Sequence, residues 1–231
     1  MSKVSFDKTC QHIIIAALCC RILEIAHSFL QLLDKEGSLA VLPSISRGLL
    51  EAYADLINLI RDKNYLSQME ILFYKHKKKI ALFSKNVEGD NSYLSAILDE
   101  VDIEKVIQEA EDEMSRCKSE GAFDNFNIKK KFERADLLNE YQSIYPLLCL
   151  HTHNNVYELE RQHIMIENEK ISLLLLEKNE PNRVYGLVDI IGALLVGTLQ
   201  HVCEMTEQKE LMHPANDALE RLRLLYAPSF Q

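Results

Sequence analysis

At 231 residues the chain is long enough for one large domain with a substantial core, and 47% hydrophobic with 26% charged residues is an ordinary globular balance. Only 7 Gly and 5 Pro leave few sites for the tight turns of an all-β fold, so the long Leu/Ala/Glu/Lys-rich stretches point to helix. A formal charge of −9 and a pI near 5.4 disfavour tight binding to a long stretch of nucleic acid, while leaving room for a small catalytic contact with RNA.

Residues 8–34 repeat Ile14, Leu18, Ile22, Ile25, Phe29 and Leu33 at helical spacing, and "DKEGS" ends the run. The apolar stretch Ile13–Cys20 is short, flanked by Asp7 and Arg21 and followed by no small-x-small cleavage site, so no signal peptide is expected. "LPSIS" introduces a second helix over about 45–62, and a third, about 65–86, carries "YKHKKK". "VEGDN" reads as a turn, followed by an acidic helical region to about 118 with a break near Val101–Asp102. "SEGAFDNFN" is the clearest loop, expected to be mobile near 119–127, and one helix should resume over about 128–153.

In "HIMIENEKISLLLL" a polar "ENEK" separates two β-compatible runs, leaving a hairpin and a helix both open. "EKNEPN" is a loop. An apolar helix follows over about 183–207, interrupted by Asp189 and marginal in length for a membrane span, and "HPAND" leads into a last amphipathic helix over about 215–226. The expected architecture is all-α or nearly so: a single multi-helix bundle over residues 1–231, with a small β-hairpin near 163–176 as the one exception. Cys10, Cys19, Cys20, Cys117, Cys149 and Cys203 show no CxxC spacing and mostly sit in apolar helical patterns, which suits a reducing cytoplasm without disulfides. The Lys clusters at 75–79 and 129–131 read as solvated faces, with a shared RNA-facing role as the alternative.

The second helix carries the strongest chemical signal. "ISRGLLEAYADLINLI" is apolar around most of its circumference, yet Arg47, Glu51 and Asp55 recur every four residues and share one stripe. Charges on a buried helix need partners, because an unpaired ion costs several kcal/mol on desolvation. Later, Tyr141, Tyr145, Cys149 and His153 are again four apart. His153 is the candidate functional residue with Asn154 beside it, whereas His151, about 200° around the helix, should be exposed or a helix-end contact. Pro146 should bend this helix and open space beside Tyr145. A carboxylate-supported histidine between tyrosines suits acid–base work, and the same groups equally suit a buried network that only fixes helix register.

"SRGLLEAYADL" and "YPLLCLHTH" together resemble an uncharacterised bacterial helical family, domain-of-unknown-function family five-six-seven-seven. Its pattern has an Arg-x-x-x-Glu helix, matched by Arg47 and Glu51, and a later Tyr-x-x-Leu-Ser-x-x-x-His helix, matched by Tyr145, Leu148 and His153. Cys149 stands where that pattern has serine, so a hydroxyl role finds no support there. The resemblance spans roughly residues 40–160 and implies a helical fold with no established activity.

Two other motifs compete. Helical nucleases of the HEPN type carry Arg-x(4–6)-His and cleave RNA without metal, and "RILEIAH" (Arg21, His27) is a formal match. The arginine and histidine content yields about one such match by chance. Di-iron bundles use paired Glu-x-x-His motifs with two further glutamates, and Glu24/His27 and Glu160/His163 have the spacing without a preceding ligand helix. No Walker loop, GxGxxG, GxSxG, HExxH or zinc-type Cys spacing occurs, so no cofactor is expected. Two functions follow as expectations. One is a metal-independent, HEPN-like RNA endonuclease of defence or toxin type using Arg47, Glu51 and His153, supported by Asp55, Tyr145 and Asn154. The other is a non-enzymatic ligand-sensing or protein-interaction module built around a structural network. RNA or a partner protein, but no membrane, would be the counterpart in a cytoplasmic setting, and a homodimer is compatible with either.

Overall fold

In a computed structural model, residues 10–85, 102–152, 155–167, 170–175 and 181–206 are described, with positions 213, 217, 220, 221 and 224 beyond them. The "VEGDN" turn and most of the expected last helix lie outside the described residues. In chain order the helices are α1 (Cys10–Leu32), α2 (Leu42–Arg61), α3 (Tyr65–Lys85), α4 (Ile103–Ser119), α5 (Ile128–Arg134), α6 (Leu138–Gln142), α7 (Ile144–Thr152), α8 (Val156–His163) and α9 (Pro181–Thr206), with a 3₁₀ turn at Ser38–Ala40. Between α8 and α9 a hairpin of β1 (Ile164–Glu167) and β2 (Lys170–Leu173) is the only sheet among the described residues. The fold is therefore all-helical with one small hairpin, and of the two readings open near 163–176 the hairpin holds, at Ile164–Glu167 and Lys170–Leu173. Two compact units divide the chain: Met1–Ile57 with Lys131–Gln231, and Asn58–Lys130.

In the first unit, Ile15, Cys19, Ile22, Ala26 and Phe29 of α1, and Leu33 just after it, are buried at alternating spacings of four and three. That is the seam of a helix packed nearly parallel to a neighbour, and α1 does pack along α9. There Val184, Val188, Ile191 and Leu194 are buried. Gln11–Leu32 and Val184–Met205 are each long and apolar enough to cross a membrane, by length and composition. Arg21, Glu24 and His27 are nevertheless exposed midway along α1. Helix α2 starts at Leu42, earlier than expected, with Pro43 in its first turn, where a missing N–H is not needed. Its Leu49, Leu50, Ala54, Leu56 and Ile57 are core.

The single helix expected over 128–153 is three short ones. Helix α5 ends in a Schellman motif: Leu137 N–H donates to Phe132 O and Asp136 N–H to Glu133 O. Asp136, at φ 63°, takes the left-handed position usually held by glycine, so nothing in the sequence pattern announces the stop. The second break follows from Pro146, which cannot donate to the carbonyl four residues earlier, so α6 ends at Gln142 and a new helix begins at Ile144. Pro146 thus lies in the first turn of α7 and starts a helix rather than bending one.

The second unit is built on α3 and α4, packed along their length. Asp102 caps α4 by accepting from Lys105 N–H at 3.1 Å. Another Schellman motif, with Gly121 at φ 101°, closes its far end. Ile71, Cys117 and Ala122 form a small core flanked by Tyr74 and Met114. Residues 120–127 contain no helix, but their backbone is held: Gln68 accepts from Phe123 N–H at 2.7 Å. Far from being simply solvated, Lys75, Lys77 and Lys78 of α3 pair with Asp124, Glu109 and Glu111. Across the described residues Cys19, Cys20, Cys117, Cys149 and Cys203 are free.

Candidate functional site

Helix α2 presents Arg47 and Glu51 one turn apart, so Arg47 Nε donates to Glu51 Oε1 at 2.9 Å. From α7, Tyr145 brings its hydroxyl to the same oxygen and donates at 2.8 Å. The Arg47 guanidinium lies over the Tyr145 ring, 5.3 Å from its centroid, closing a triangle of ion pair, hydrogen bond and cation–π contact. Beneath it Tyr145 is stacked on Tyr141 at 5.5 Å and tilted against the fully buried Phe132 at 5.1 Å. The aromatic floor fixes Tyr145, and through it the carboxylate.

Electrostatics reinforce the arrangement. Burial opposes the Arg47 charge, but hydrogen bonds to Glu51 and Tyr145 outweigh it and hold its pKa above the ordinary value. Burial first, then the Glu51 carboxylate that accepts its proton, raise the Tyr145 hydroxyl well above an ordinary phenol. Both groups therefore keep their protons throughout the physiological range.

Asp55, a turn beyond Glu51, pairs with Lys131 of α5 at 2.8 Å, with side chains only 17% and 14% exposed. Lys131 is thus a half-buried partner, not part of a solvated face, although Lys129 and Lys130 are exposed. His153 and Asn154, the proposed acid–base group and its neighbour, lie outside the described residues. His151 sits in the last turn of α7 with Nδ1 3.0 Å from Glu158 Oε2.

That carboxylate is a feature the sequence reading missed. Glu158, its side chain 11% exposed, also accepts from Arg161 Nη2 at 2.9 Å and Gln162 Nε2 at 3.2 Å. His151, Arg161 and Gln162 line a cavity of about 180 Å³ with Leu39, Pro43 and Leu187. The signal was available in the i, i+3, i+4 spacing of Glu158, Arg161 and Gln162, but such pairs usually mark an exposed face.

The metal candidates are dispersed. Glu24 and His27 are exposed on α1, where Glu24 and Arg21 line an open groove of about 440 Å³ with Ser28 and Ser44. Glu160 is exposed on α8, and His163 Nδ1 lies 3.2 Å from Leu174 O. Among the described residues no three His, Cys, Asp or Glu side chains are grouped to hold a metal ion.

A helical domain whose polar centre is an Arg–Glu–Tyr triangle, shared between a long core helix and a short helix opened by proline, is the class defined by fold and site. Residues 12–171, from α1 into β2, match the model of a family of unknown function (DUF5677), and the chain belongs to that family. No curated protein and no solved structure matches it.

Proposed function

We propose that this chain is a non-enzymatic protein-interaction module of the bacterial cytoplasm, in which the Arg47–Glu51–Tyr145 triangle locks α2 to α7. The observation that carries this reading is the closure of the triangle. Its carboxylate is occupied by two donors, and its arginine and tyrosine both have raised pKa values, so the group holds protons rather than moving them. The exposed Arg21, Glu24 and His27 of α1 support an aqueous setting, since a helix crossing a bilayer would carry them into hydrocarbon. Net negative charge and the pairing of Lys75, Lys77, Lys78 and Lys131 with carboxylates weigh against a broad RNA-binding face.

One observation favours the enzymatic alternative. The Arg47 side chain keeps 26% exposure at the position where a phosphate would need a cation. In that reading His153 would act as acid or base, and Glu51 would orient Arg47, in metal-independent RNA cleavage of a HEPN-like kind. Incubating the purified protein with single-stranded and structured RNA in the presence of chelator separates the two. No cleavage is expected. Cleavage that disappears in both Arg47→Ala and His153→Ala would replace the interaction module with the nuclease.

A further inference from the structure

Of the eight strand residues of the hairpin, all but Ile164 are exposed. The register pairs Ile164 with Leu173 and Ile166 with Ile171, while Met165 faces Ser172 and Glu167 faces Lys170. Cross-strand partners share a face of the pleat. One face is therefore wholly aliphatic and the other mixed. On the aliphatic face Ile166 is 70% exposed, Ile171 71% and Leu173 81%, and Leu175, two residues beyond the end of β2, is 82% exposed.

A two-stranded hairpin is marginal in water unless a third strand, a helix or a second sheet covers its apolar face. Here the ladder is extended by Leu174 N–H donating to His163 O at 2.8 Å, but those four side chains remain uncovered. They expose on the order of 400 Å² of apolar surface, the size of the largest and often functional patch on a monomeric protein.

We infer that this face is the contact between two copies of the chain, packed hairpin on hairpin about a two-fold axis. The inference goes beyond the interaction module proposed above and uses none of the residues of the triangle. Three features favour a second copy. The patch is self-complementary: two aliphatic cross-strand pairs with no charge on the face stack on an identical set at the usual sheet spacing of about 10 Å. The area suits a small, concentration-dependent dimer, because two such faces remove on the order of 800 Å² of apolar surface, below the roughly 1,200 Å² at which standard interfaces begin. Glu167 and Lys170, the one charged cross-strand pair, lie on the opposite face, so packing desolvates neither. An anionic lipid surface is disfavoured by the −9 charge of the chain.

Sedimentation velocity across a wide concentration range, on the full-length chain, tests the inference. Wild type should become dimeric as the concentration rises. The double variant Ile166→Thr/Ile171→Thr keeps β-branched side chains and, both sites being exposed in the single copy, should keep its helical circular dichroism. Its dimer dissociation constant should rise by about a hundredfold or more. Met165→Thr, on the opposite face, should leave the dimer intact. A wild type that sediments as a monomer throughout, or a dimer unaffected by the double variant, overturns the inference. Flotation of wild type with neutral phosphatidylcholine vesicles, lost in the double variant, would overturn it in favour of a lipid surface. None of these outcomes bears on the triangle, whose test is RNA cleavage.

Discussion

Tyr145→Phe removes a single oxygen from the centre of the triangle and leaves the ring in place against Phe132 and Tyr141. The lost hydrogen bond is to a carboxylate, worth about 1.5–3 kcal/mol in a dry site. The Glu51 side chain is 30% exposed, so water recovers part of that, and the expected cost is about 1–2 kcal/mol. For a chain of this length that lowers the melting temperature by roughly 2–4 °C per kcal/mol. Glu51→Gln keeps the shape but removes the charge that Arg47 and Tyr145 both address. The two substitutions act on one bond, so their effects should not add, and a double-mutant cycle should return a coupling of about 0.5–1.5 kcal/mol. Urea unfolding followed by far-ultraviolet circular dichroism measures all four corners. A Tyr145→Phe cost below about 0.3 kcal/mol, or strict additivity in the cycle, would refute the view that this contact locks α2 to α7.

Lys131→Met removes the cation 2.8 Å from the half-buried Asp55 and should cost about 1–2 kcal/mol by urea unfolding, with Asp55→Asn added to it recovering part; Lys129→Met, at an exposed site, should cost much less. Gly197→Ala would put a Cβ 2.2 Å from the Tyr53 hydroxyl and 2.9 Å from the ring carbon that bears it. It should destabilise by about 1–3 kcal/mol, and Tyr53→Phe in the same chain should relieve part of the loss; a neutral Gly197→Ala would show that the Tyr53 ring swings away freely. Burial, with a smaller contribution from adjacent Cys20, pushes the Cys19 thiol up to about 11. A raised pKa keeps it protonated at neutral pH and yields thiolate only as the pH approaches that value, so native iodoacetamide labelling at mildly alkaline pH should modify exposed Cys20 and spare Cys19, as peptide mass spectrometry would show. Equal labelling of the two would contradict this.

Much of the helical order was legible because periodicity reports burial directly: the stripe through Ile22, Phe29 and Leu33 does face the core. The convergence of Arg47, Glu51 and Tyr145 was also readable, since four-residue spacing puts charges on one line and a buried line needs partners. The breaks after Arg134 and Gln142 were not. One depends on Asp136 adopting a left-handed conformation, and the other on Pro146 acting as a helix starter, and neither choice is fixed by local sequence. Lys131 looked like one of three equivalent lysines because only tertiary structure reveals that Asp55 waits for it. Glu158 was hidden for the same reason: His151, its partner from α7, is not a local neighbour in helical spacing.

The pairing of Asp55 with Lys131 has a consequence for the design of the chain as a whole. These two residues stand just before and just after the segment Asn58–Lys130, which is compact in itself. The two stretches of the first unit that flank this segment are therefore held together by an ion pair. An excursion whose ends already meet adds little closure entropy to the fold that hosts it, because that cost grows only with the logarithm of its length. Changing the length of chain between Asp55 and Lys131 should therefore alter closure of the first unit only slightly, since the pair itself marks where the two flanking stretches meet.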